Sequence, residues 1–267
     1  DLAAAGDVPC VRVVGKLLFP RAEVERWIAR HHSGPEERRE PHRPPVVLGS
    51  HDPLLEWALK ESGCGLASLC DGSFDGLERF ARSEGQASGL HIHDAGPEAA
   101  DERRWNVTAV EARFSAAPVA LIEWARRQRG LIVRQADKGQ ITDIGALEGK
   151  RVAARQSGAG SQALLDHMLE RAGLADKVTL TAPARTESDA ALLVAEGKAA
   201  AALGLLAPAR QLGLEFVPVT EERFDPLACR LARFEPGPQT LAVLCRFLAL
   251  AATPGHLGVY GCSSSGS

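Results

Sequence analysis

Two hydrophobic periods alternate along most of this chain. Short apolar runs bounded by glycine or polar residues predict strands, and apolar residues spaced three and four apart predict helices. The predicted strands are Val46–Leu48, Gly65–Leu69, Leu90–His93, Val119–Ala125, Gly130–Arg134, Arg151–Arg155, Val178–Leu180, Ala200–Leu203 and Glu215–Pro218. The predicted helices are Pro53–Lys60, Phe74–Glu84, Ser161–Ala172, Glu187–Glu196 and Ala207–Leu212. This alternation favours an α/β fold with a parallel sheet covered on both faces, and its length favours two lobes.

The pattern before residue 46 is different. Val11–Val14 and Leu17–Phe19 predict an extended pair that turns at Gly15-Lys16, and Pro20 opens a helix. The charged, proline-rich stretch SGPEERREPHRPP that follows has no apolar face, so it predicts a linker.

Four strand-to-helix turns carry glycine or hydroxyl residues at the helix start. The turns are Gly49-Ser50-His51, Asp71-Gly72-Ser73, Ser157–Ser161 and Thr186-Glu187-Ser188. In open α/β sheets, ligands bind beyond the carboxyl ends of strands, where free backbone N–H groups and the helix dipole favour an anion. Ordinary capping is the alternative explanation for each turn, for example with Ser161 as the cap of its helix. Their recurrence points to a shared anion site.

Gly158-x-Gly160-x-x-Ala163 fits a loose dinucleotide-binding fingerprint. That fingerprint needs an acidic residue about 20 positions further on, after the next strand. A Thr-Ala-Pro run stands there at 181–183 instead. A lone match of this kind is weak, so no nucleotide cofactor is predicted.

Composition narrows the function classes. The chain has 267 residues, 45% of them hydrophobic, and a formal net charge of −3, which argues against a protein that coats nucleic acid. No apolar run approaches the roughly 20 residues of a membrane span, and the N-terminus has no secretory pattern. The six cysteines include no C-x-x-C pair, which indicates free thiols in a reducing compartment. We therefore expect a cytoplasmic protein with no membrane partner.

Clusters of catalytic or metal-binding residues are few. The motif HIHD puts His91 and His93 on one face of a strand with Asp94 adjacent, and with His51 they form a candidate metal site. Histidines near a strand end are more often structural, so no metal is predicted. The sequence has no serine elbow, no H-E-x-x-H and no P-loop, so no catalytic residue is assigned and we expect a protein that is not an enzyme.

The segment VPCVRVVGKLLFPRAEVERWI resembles the C-terminal half of an excisionase-type, winged helix-turn-helix DNA-binding domain. The resemblance implies that residues 1–32 form a partial domain without its first helices, beginning at the tail of the recognition helix at Asp1–Gly6. It places Arg12, Lys16 and Arg21 near the DNA backbone, where cations give salt-dependent affinity rather than sequence recognition. The alternative is a small hairpin that docks on the main body.

The main body resembles the substrate-binding-like domain of the type II periplasmic-binding-protein superfamily, and more closely its cytoplasmic, molybdate- or tungstate-binding-like branch. The segments that carry this resemblance are GSHDPLLEWAL, SLCDGSFDGLERFARSEGQASGLHIHD, RQSGAGSQALLDHML and RTESDAALLVAEGKAAAALGLLAPARQLGLEFVPVTEERFD. The resemblance implies a linker at 33–45 and a two-lobed domain at 46–267. Lobe one would span about 46–117 and 210–267, and lobe two about 118–209.

The resemblance also implies that the lobes enclose a small oxyanion, molybdate or tungstate, with no other cofactor. Neutral donors at helix starts suit a tetrahedral dianion. Arg155 or Arg185 would add a charge-assisted contact that favours a carboxylate or phosphate instead. Asp52 is expected to stabilise its helix start. The predicted ligand-binding residues are Ser50, His51, Ser73, Ser157, Gly158, Gly160, Ser161 and Thr186.

The resulting expectation is a ligand-sensing transcriptional regulator. Ligand would stabilise a closed sensor and change how paired DNA-binding heads are presented, which implies DNA as a partner of the full-length protein and a homodimer. The alternative is an enzyme or cofactor-handling protein that binds a molybdenum-cofactor intermediate or another small organic anion, with His51 as the candidate base. A transport-type binding protein is a third class, which the lack of a signal pattern opposes.

Overall fold

The computed structural model describes residues 6–31, 43–94 and 105–230, together with residues 3, 237, 239, 260 and 261. The chain forms two compact units, Asp1–Pro41 and His42–Ser267. Most of the predicted recognition-helix tail and most of the predicted linker lie outside the described residues.

The first unit is a hairpin followed by a helix, as the sequence pattern predicts, but the turn lies at Val14-Gly15 and not at Gly15-Lys16, because Lys16 pairs with Val13. Strands β1 (Val11–Val13) and β2 (Lys16–Leu18) pair antiparallel, and helix α1 covers Arg21–His31. Both turn residues, Val14 and Gly15, have positive φ angles, 45° and 77°. A glycine at the second of these positions lets the two strands reverse tightly.

The second unit alternates strands and helices. Its strands are β3 (Val46–Gly49), β4 (Ala67–Leu69), β5 (Ala87–Leu90), β6 (Val119–Leu121), β7 (Ala125–Val133), β8 (Arg151–Ala153), β9 (Thr179–Leu180), β10 (Ala201–Leu205), β11 (Glu215–Cys229) and β12 (Tyr260–Gly261). Its helices are α2 (Pro53–Ser62), α3 (Ser73–Ala81), α4 (Val107–Phe114), α5 (Gly160–Arg171), α6 (Glu187–Ala195) and α7 (Leu206–Gln211).

Two parallel groups of strands form two lobes. In lobe one, β3 pairs parallel with β4 and β5, and in lobe two, β8 pairs parallel with β9 and β10. The long strands β7 and β11 run antiparallel and connect the lobes, in the order β4-β3-β5-β11-β7-β10-β8-β9. Strand β11 pairs with β7 over Glu215–Phe224 and joins β5 of lobe one from Asp225 onward, whereas the sequence predicted the return near residue 210.

Each lobe has its own apolar core. Leu48, Phe80, Leu90 and Leu227 are buried together in lobe one. In lobe two, one cluster of leucines, isoleucine and valines lies between α5 and the sheet, and an alanine-rich cluster lies under α6. The small alanine side chains let α6 approach the sheet closely, which brings the start of that helix to the cleft between the lobes.

Two of the strands that differ from the sequence prediction are β5 and β11. Strand β5 covers Ala87–Leu90 and ends where the predicted strand begins, and its Gly89 packs so tightly that an added Cβ atom would lie 2.4 Å from Phe224 Cζ. Strand β11 extends to Cys229 instead of ending at Pro218, because it pairs with β7 through Phe224 and with β5 from Asp225. Hydrophobic periodicity cannot detect either arrangement.

Candidate functional site

A cavity of about 440 Å³ lies between the two lobes, at the carboxyl ends of β3, β4 and β5 on one side and the starts of α6 and α7 on the other. This is the location where open α/β sheets bind ligands. Its lining residues are Ser50, His51, Pro53, Glu56, Cys70, Asp71, Gly72, His91, Arg155, Gln156, Ala159, Ser161, Arg185, Thr186, Glu187, Ser188, Leu205, Ala207, Pro208 and Gln211.

Serine hydroxyls fix the lobe-one wall of the cavity. The Oγ atoms of Ser50 and Ser73 lie 2.8 Å apart, and the backbone N–H of His91 donates to Ser73 Oγ at 3.0 Å. Ser73 is therefore buried behind Ser50 and does not line the cavity. The two hydroxyls hold the ends of β3, α3 and β5 together.

Asp52 caps helix α2, as the sequence predicts. Its carboxylate accepts a hydrogen bond from Leu55 N at 2.8 Å, and Pro53 stands at the first helical position. The second carboxylate oxygen accepts from Arg127 Nη1 at 2.8 Å. Asp52 is buried and does not line the cavity.

His51 and Glu56 form a pair at the cavity rim. His51 Nε2 lies 2.7 Å from Glu56 Oε2, and Lys60 Nζ donates to Glu56 Oε1 at 2.6 Å. These two hydrogen bonds, that of His51 first, lower the pKa of Glu56 to about 2. Cys70 lies in the same wall, and burial, with added repulsion from Glu56 and Asp71, raises its pKa to about 11. The thiol is therefore protonated at neutral pH and is a poor nucleophile.

Arg155 is one of two arginines in the lobe-two wall, with Arg185. Its backbone is fixed by a bridge to Ala184 and by Gln162 Oε1, which accepts from Arg155 N at 2.6 Å. Nε and Nη1 of its guanidinium are buried and have no hydrogen-bond partner among the described residues. Burial lowers the pKa of Arg155, against the opposing effect of Glu187 and Asp189. The side chain remains charged, because an arginine guanidinium is not deprotonated in proteins.

The loop Ser157–Ser161 mainly joins the lobes. Helix α5 begins at Gly160 after Ala159 and has no side-chain cap, so the capping alternative for Ser161 is wrong, and Ser161 lines the cavity. An added Cβ atom on Gly160 would lie 2.5 Å from His91 O of lobe one, so only glycine fits there. Ser157, Gly158 and Gly160 do not line the cavity.

Thr186 shows the ordinary capping geometry. Its Oγ1 accepts from Asp189 N at 3.0 Å, and the Asp189 carboxylate accepts from Thr186 N at 3.0 Å. This capping box begins α6, and Thr186 also lines the cavity.

Three polar contacts join the lobes beside the cavity. Arg185 of lobe two pairs with Asp71 of lobe one at 2.8 Å, and Gln156 Nε2 donates to Asp71 O at 2.6 Å. Phe74 N donates to Gly158 O at 3.2 Å. The lobes are therefore in direct contact along the rim of the cavity.

A buried ion network lies behind the cavity and connects both lobes. Arg127 Nη2 lies 2.5 Å from Glu222 Oε1, and Arg129 forms two hydrogen bonds of 2.7 Å with the same carboxylate. Arg129 also donates to Glu187 at 2.7 Å. Burial raises the pKa of Glu222, but Arg127 and Arg129 outweigh that effect and hold it well below its usual value. The members of this buried ion network are Asp52, Arg127, Arg129, Glu187 and Glu222.

His91 is in contact with this network. Its Nδ1 lies 3.3 Å from Glu222 Oε2, and the ring is stacked on Phe224. Burial lowers the pKa of His91 despite the nearby Glu222 carboxylate, so the ring is neutral at neutral pH.

The residues of the candidate metal site are separated in the structure. His93 packs on Trp105 and His167, while Asp94 accepts from Thr108 N at 3.2 Å. Within the described part of the chain, no group of three His, Cys, Asp or Glu residues is arranged to hold a metal ion.

Six of the ten residues predicted to contact the ligand line the cavity, and they make up six of its twenty lining residues. Of the predicted residues, Ser50, His51, Ser161, Thr186, Arg155 and Arg185 line the cavity. Sequence reasoning missed Glu187, Gln156 and the apolar residues around Pro208. It also missed Arg127 and Arg129 of β7. These two arginines stand two residues apart in a strand and therefore share one face of the sheet, and this spacing was the sequence signal for a buried charged pair.

A family model described as the PBP superfamily domain matches residues 56–246, more than half of the chain. The chain belongs to this superfamily. No sequence among the curated proteins matches it. None of the helices in the described ranges has both the length and the apolar composition of a membrane span.

Solved structures of PBP-type domains and regulators have the same fold. The Synechocystis PCC6803 CcmR regulatory domain in complex with 2-PG aligns at 11% identity and a TM-score of 0.55, covering 78% of this chain and 96% of that chain. Holo ArgBP from T. maritima aligns at 14% identity and a TM-score of 0.51, covering 78% and 90%. Full-length CbnR complexed with its target DNA aligns at 11% identity and a TM-score of 0.50, covering 76% and 68%. At such identities, the likeness establishes the fold alone.

Proposed function

We propose that this chain is the ligand-binding part of a transcriptional regulator and that its interlobe cavity binds a small anion. The observation that carries the proposal is Arg155, which lines the cavity and whose Nε and Nη1 are buried without a hydrogen-bond partner among the described residues. A buried donor without an acceptor is costly, so a bound anion that accepts from both atoms would be strongly favoured.

The regulatory part of the proposal draws on the solved structures. One similar chain is a regulatory domain in complex with 2-PG, and another is a full-length protein in complex with its target DNA. DNA as a partner through Arg12, Lys16 and Arg21, and a homodimer, belong to the same proposal. Charged side chains near phosphates would make that binding sensitive to salt.

The size of the cavity bears on the kind of anion. A cavity of about 440 Å³ falls in the range of small-molecule sites, roughly 300–1,000 Å³, and is large for a bare tetrahedral oxyanion. Arg155 favours a carboxylate or phosphate, whereas the hydroxyl of Ser161 and the N-terminus of α5 are compatible with molybdate or tungstate. An organic anion is therefore the first candidate and the oxyanions the second.

We propose binding rather than catalysis. A catalytic alternative has one supporting observation, the His51–Glu56 pair at 2.7 Å, which resembles a base oriented by a carboxylate. The neighbouring thiol of Cys70 is held protonated by its raised pKa, about 11, so it is not an activated nucleophile. Glu56 of this pair also forms an ion pair with Lys60, four residues further along α2, so it has a structural role in the helix.

Ligand-observed NMR on the full chain tests the proposal, with benzoate, butyrate, phosphate, molybdate, tungstate and sulfate as probes. We expect at least one probe to bind and the variant Arg155→Gln to weaken that binding by about 10- to 100-fold. Arg151→Gln is the matched control, because Arg151 is exposed at the start of strand β8, four residues before Arg155, and does not line the cavity. Binding that survives Arg155→Gln unchanged would contradict the proposal.

A further inference from the structure

The charges around the cavity restrict which anions fit it. The buried ion network holds three carboxylates and two guanidiniums, so its formal charge is −1. Arg155 adds one positive charge and balances the network, because His91 is neutral. The rim pairs Asp71–Arg185 and Glu56–Lys60 are balanced within themselves.

Because Arg155 only offsets the charge of the network, the cavity wall carries no excess positive charge that would attract a dianion, and Arg155 can pair with one carboxylate. The network arginines pair with Asp52, Glu187 and Glu222, and neither arginine lines the cavity. Arg185 is mostly exposed, and Asp71 already accepts from it. A second negative charge on the ligand would approach Glu187, and Asp189 lies near Arg155 as well, so repulsion would oppose it.

One part of the wall is apolar. Carbon-rich side chains line the cavity at the start of α7 and near the start of α2, and they offer no donor or acceptor to an oxyanion. They suit the hydrocarbon part of an organic acid, which gains from leaving water. These apolar residues are Pro53, Ala159, Leu205, Ala207 and Pro208.

We infer that the cavity selects small organic monocarboxylates, whose carboxylate pairs with Arg155 and whose apolar body lies against the start of α7. This inference rests on the proposed anion-binding function and specifies its ligand class. A preference for monocarboxylates distinguishes this cavity from a site for molybdate, tungstate or phosphate, because these anions carry two charges or nearly so at neutral pH.

Matched probe pairs test this inference on the full chain by ligand-observed NMR titration. Benzoate and phthalate share a ring and differ by one carboxylate, and butyrate and succinate share a four-carbon skeleton with one or two carboxylates. We expect each monocarboxylate to bind at least about tenfold more tightly than its dicarboxylate partner, which corresponds to about 1.4 kcal/mol. The comparison needs no variant, so it does not depend on whether a substitution folds.

A charge-removing variant adds a second measurement. Glu187→Gln keeps an oxygen that accepts from Arg129 and removes one negative charge from the wall. We expect this variant to reduce the preference for benzoate over phthalate at least about threefold, in line with the Coulomb energy of charges near a protein surface. Glu196→Gln is the control, because Glu196 follows the end of the same helix and does not line the cavity.

The outcomes separate the inference from the proposal on which it rests. Tighter binding of phthalate, succinate, phosphate or molybdate would overturn the monocarboxylate inference and leave anion binding intact. Absence of binding by every probe would overturn both. If the variant Glu187→Gln keeps the wild-type preference for benzoate over phthalate, the role assigned to the wall charges is overturned.

Discussion

At the scale of single residues, Glu222 is the most constrained side chain of the molecule's centre. It is fully buried, and both of its carboxylate oxygens lie close to guanidinium nitrogens of Arg127 and Arg129. A buried ion pair adds little net stability when complete, but removing one partner leaves charges that nothing compensates. Loss of the Glu222 carboxylate should therefore destabilise the fold more than the intact ion pairs stabilise it.

Replacing Glu222 by glutamine should lower the free energy of unfolding by about 3–5 kcal/mol, because two buried guanidiniums lose their shared carboxylate. Urea denaturation measures the change. The control is Glu221→Gln on the same strand, where the pair with Arg126 is exposed and should contribute less than about 1 kcal/mol. Equal losses in both variants would contradict the description of the network.

His91 should make stability depend on pH. Its folded pKa lies below the ordinary 6.5, so below pH 6.5 the unfolded chain binds a proton that the folded chain rejects. The free energy of unfolding should therefore fall from about pH 6.5 downward, by up to about 1.4 kcal/mol per pH unit, until the folded pKa is reached. The variant His91→Gln should lose this slope in urea titrations; a slope identical to wild type would refute the assignment.

Some of these residues were accessible to sequence reasoning and others were not. Arg155 was a candidate because it precedes a glycine-rich loop at a strand end, and a local pattern suffices for that. Glu222 and Arg129 belong to charged runs, which are typical of exposed surface. Only the antiparallel pairing of β7 with β11 brings them together and buries them.

At the scale of elements, two glycine loops bring the lobes into contact. Gly72 precedes α3 with a φ of 116°, and Gly158 lies in the loop before α5. An added Cβ atom on Gly72 would lie 2.5 Å from Gly158 O, whereas one on Gly158 would have no atom within 4 Å. The contact between Gly72 and Gly158 thus requires glycine at position 72 but not at position 158.

The variant Gly72→Ala should therefore destabilise the protein by about 1–3 kcal/mol, through strain at a positive φ and the collision with the opposite loop. Gly158→Ala should change the unfolding free energy by less than about 0.5 kcal/mol, since the space is open and its φ is not positive. Thermal denaturation of the two variants checks the prediction. A larger loss for Gly158→Ala would show that the lobe contact is different.

Elements with a strong helical period were predictable and the crossing strands were not. Helices α5 and α6 lie within one residue of their predicted bounds because their buried faces are apolar. Strand β7 begins at Ala125 with a charged run, and β11 carries charged residues through its centre. The charged side chains of these strands pair with residues that are distant in sequence. The spacing of apolar residues along one segment does not predict such pairs.

At the scale of the whole molecule, the superfamily fold explains why the site is built from distant segments. Lobe one contributes the serine-fixed wall and lobe two contributes Arg155, while β7 and β11 hold the ion network between them. Alternating strands and helices predicted the α/β class and the length favoured two lobes, but the bounds of each lobe came from resemblance, because periodicity does not specify which strands pair. The ligand class that we propose is argued from the folded arrangement of charges and apolar residues around the cavity.

The most direct test of the central claim is anomalous diffraction from crystals of the full chain grown with para-bromobenzoate. The account predicts a bromine peak inside the interlobe cavity, on the side of Pro208, with the carboxylate accepting from Nε and Nη1 of Arg155. Bromine peaks found only outside the cavity, or a carboxylate bound in the cavity away from Arg155, would contradict it.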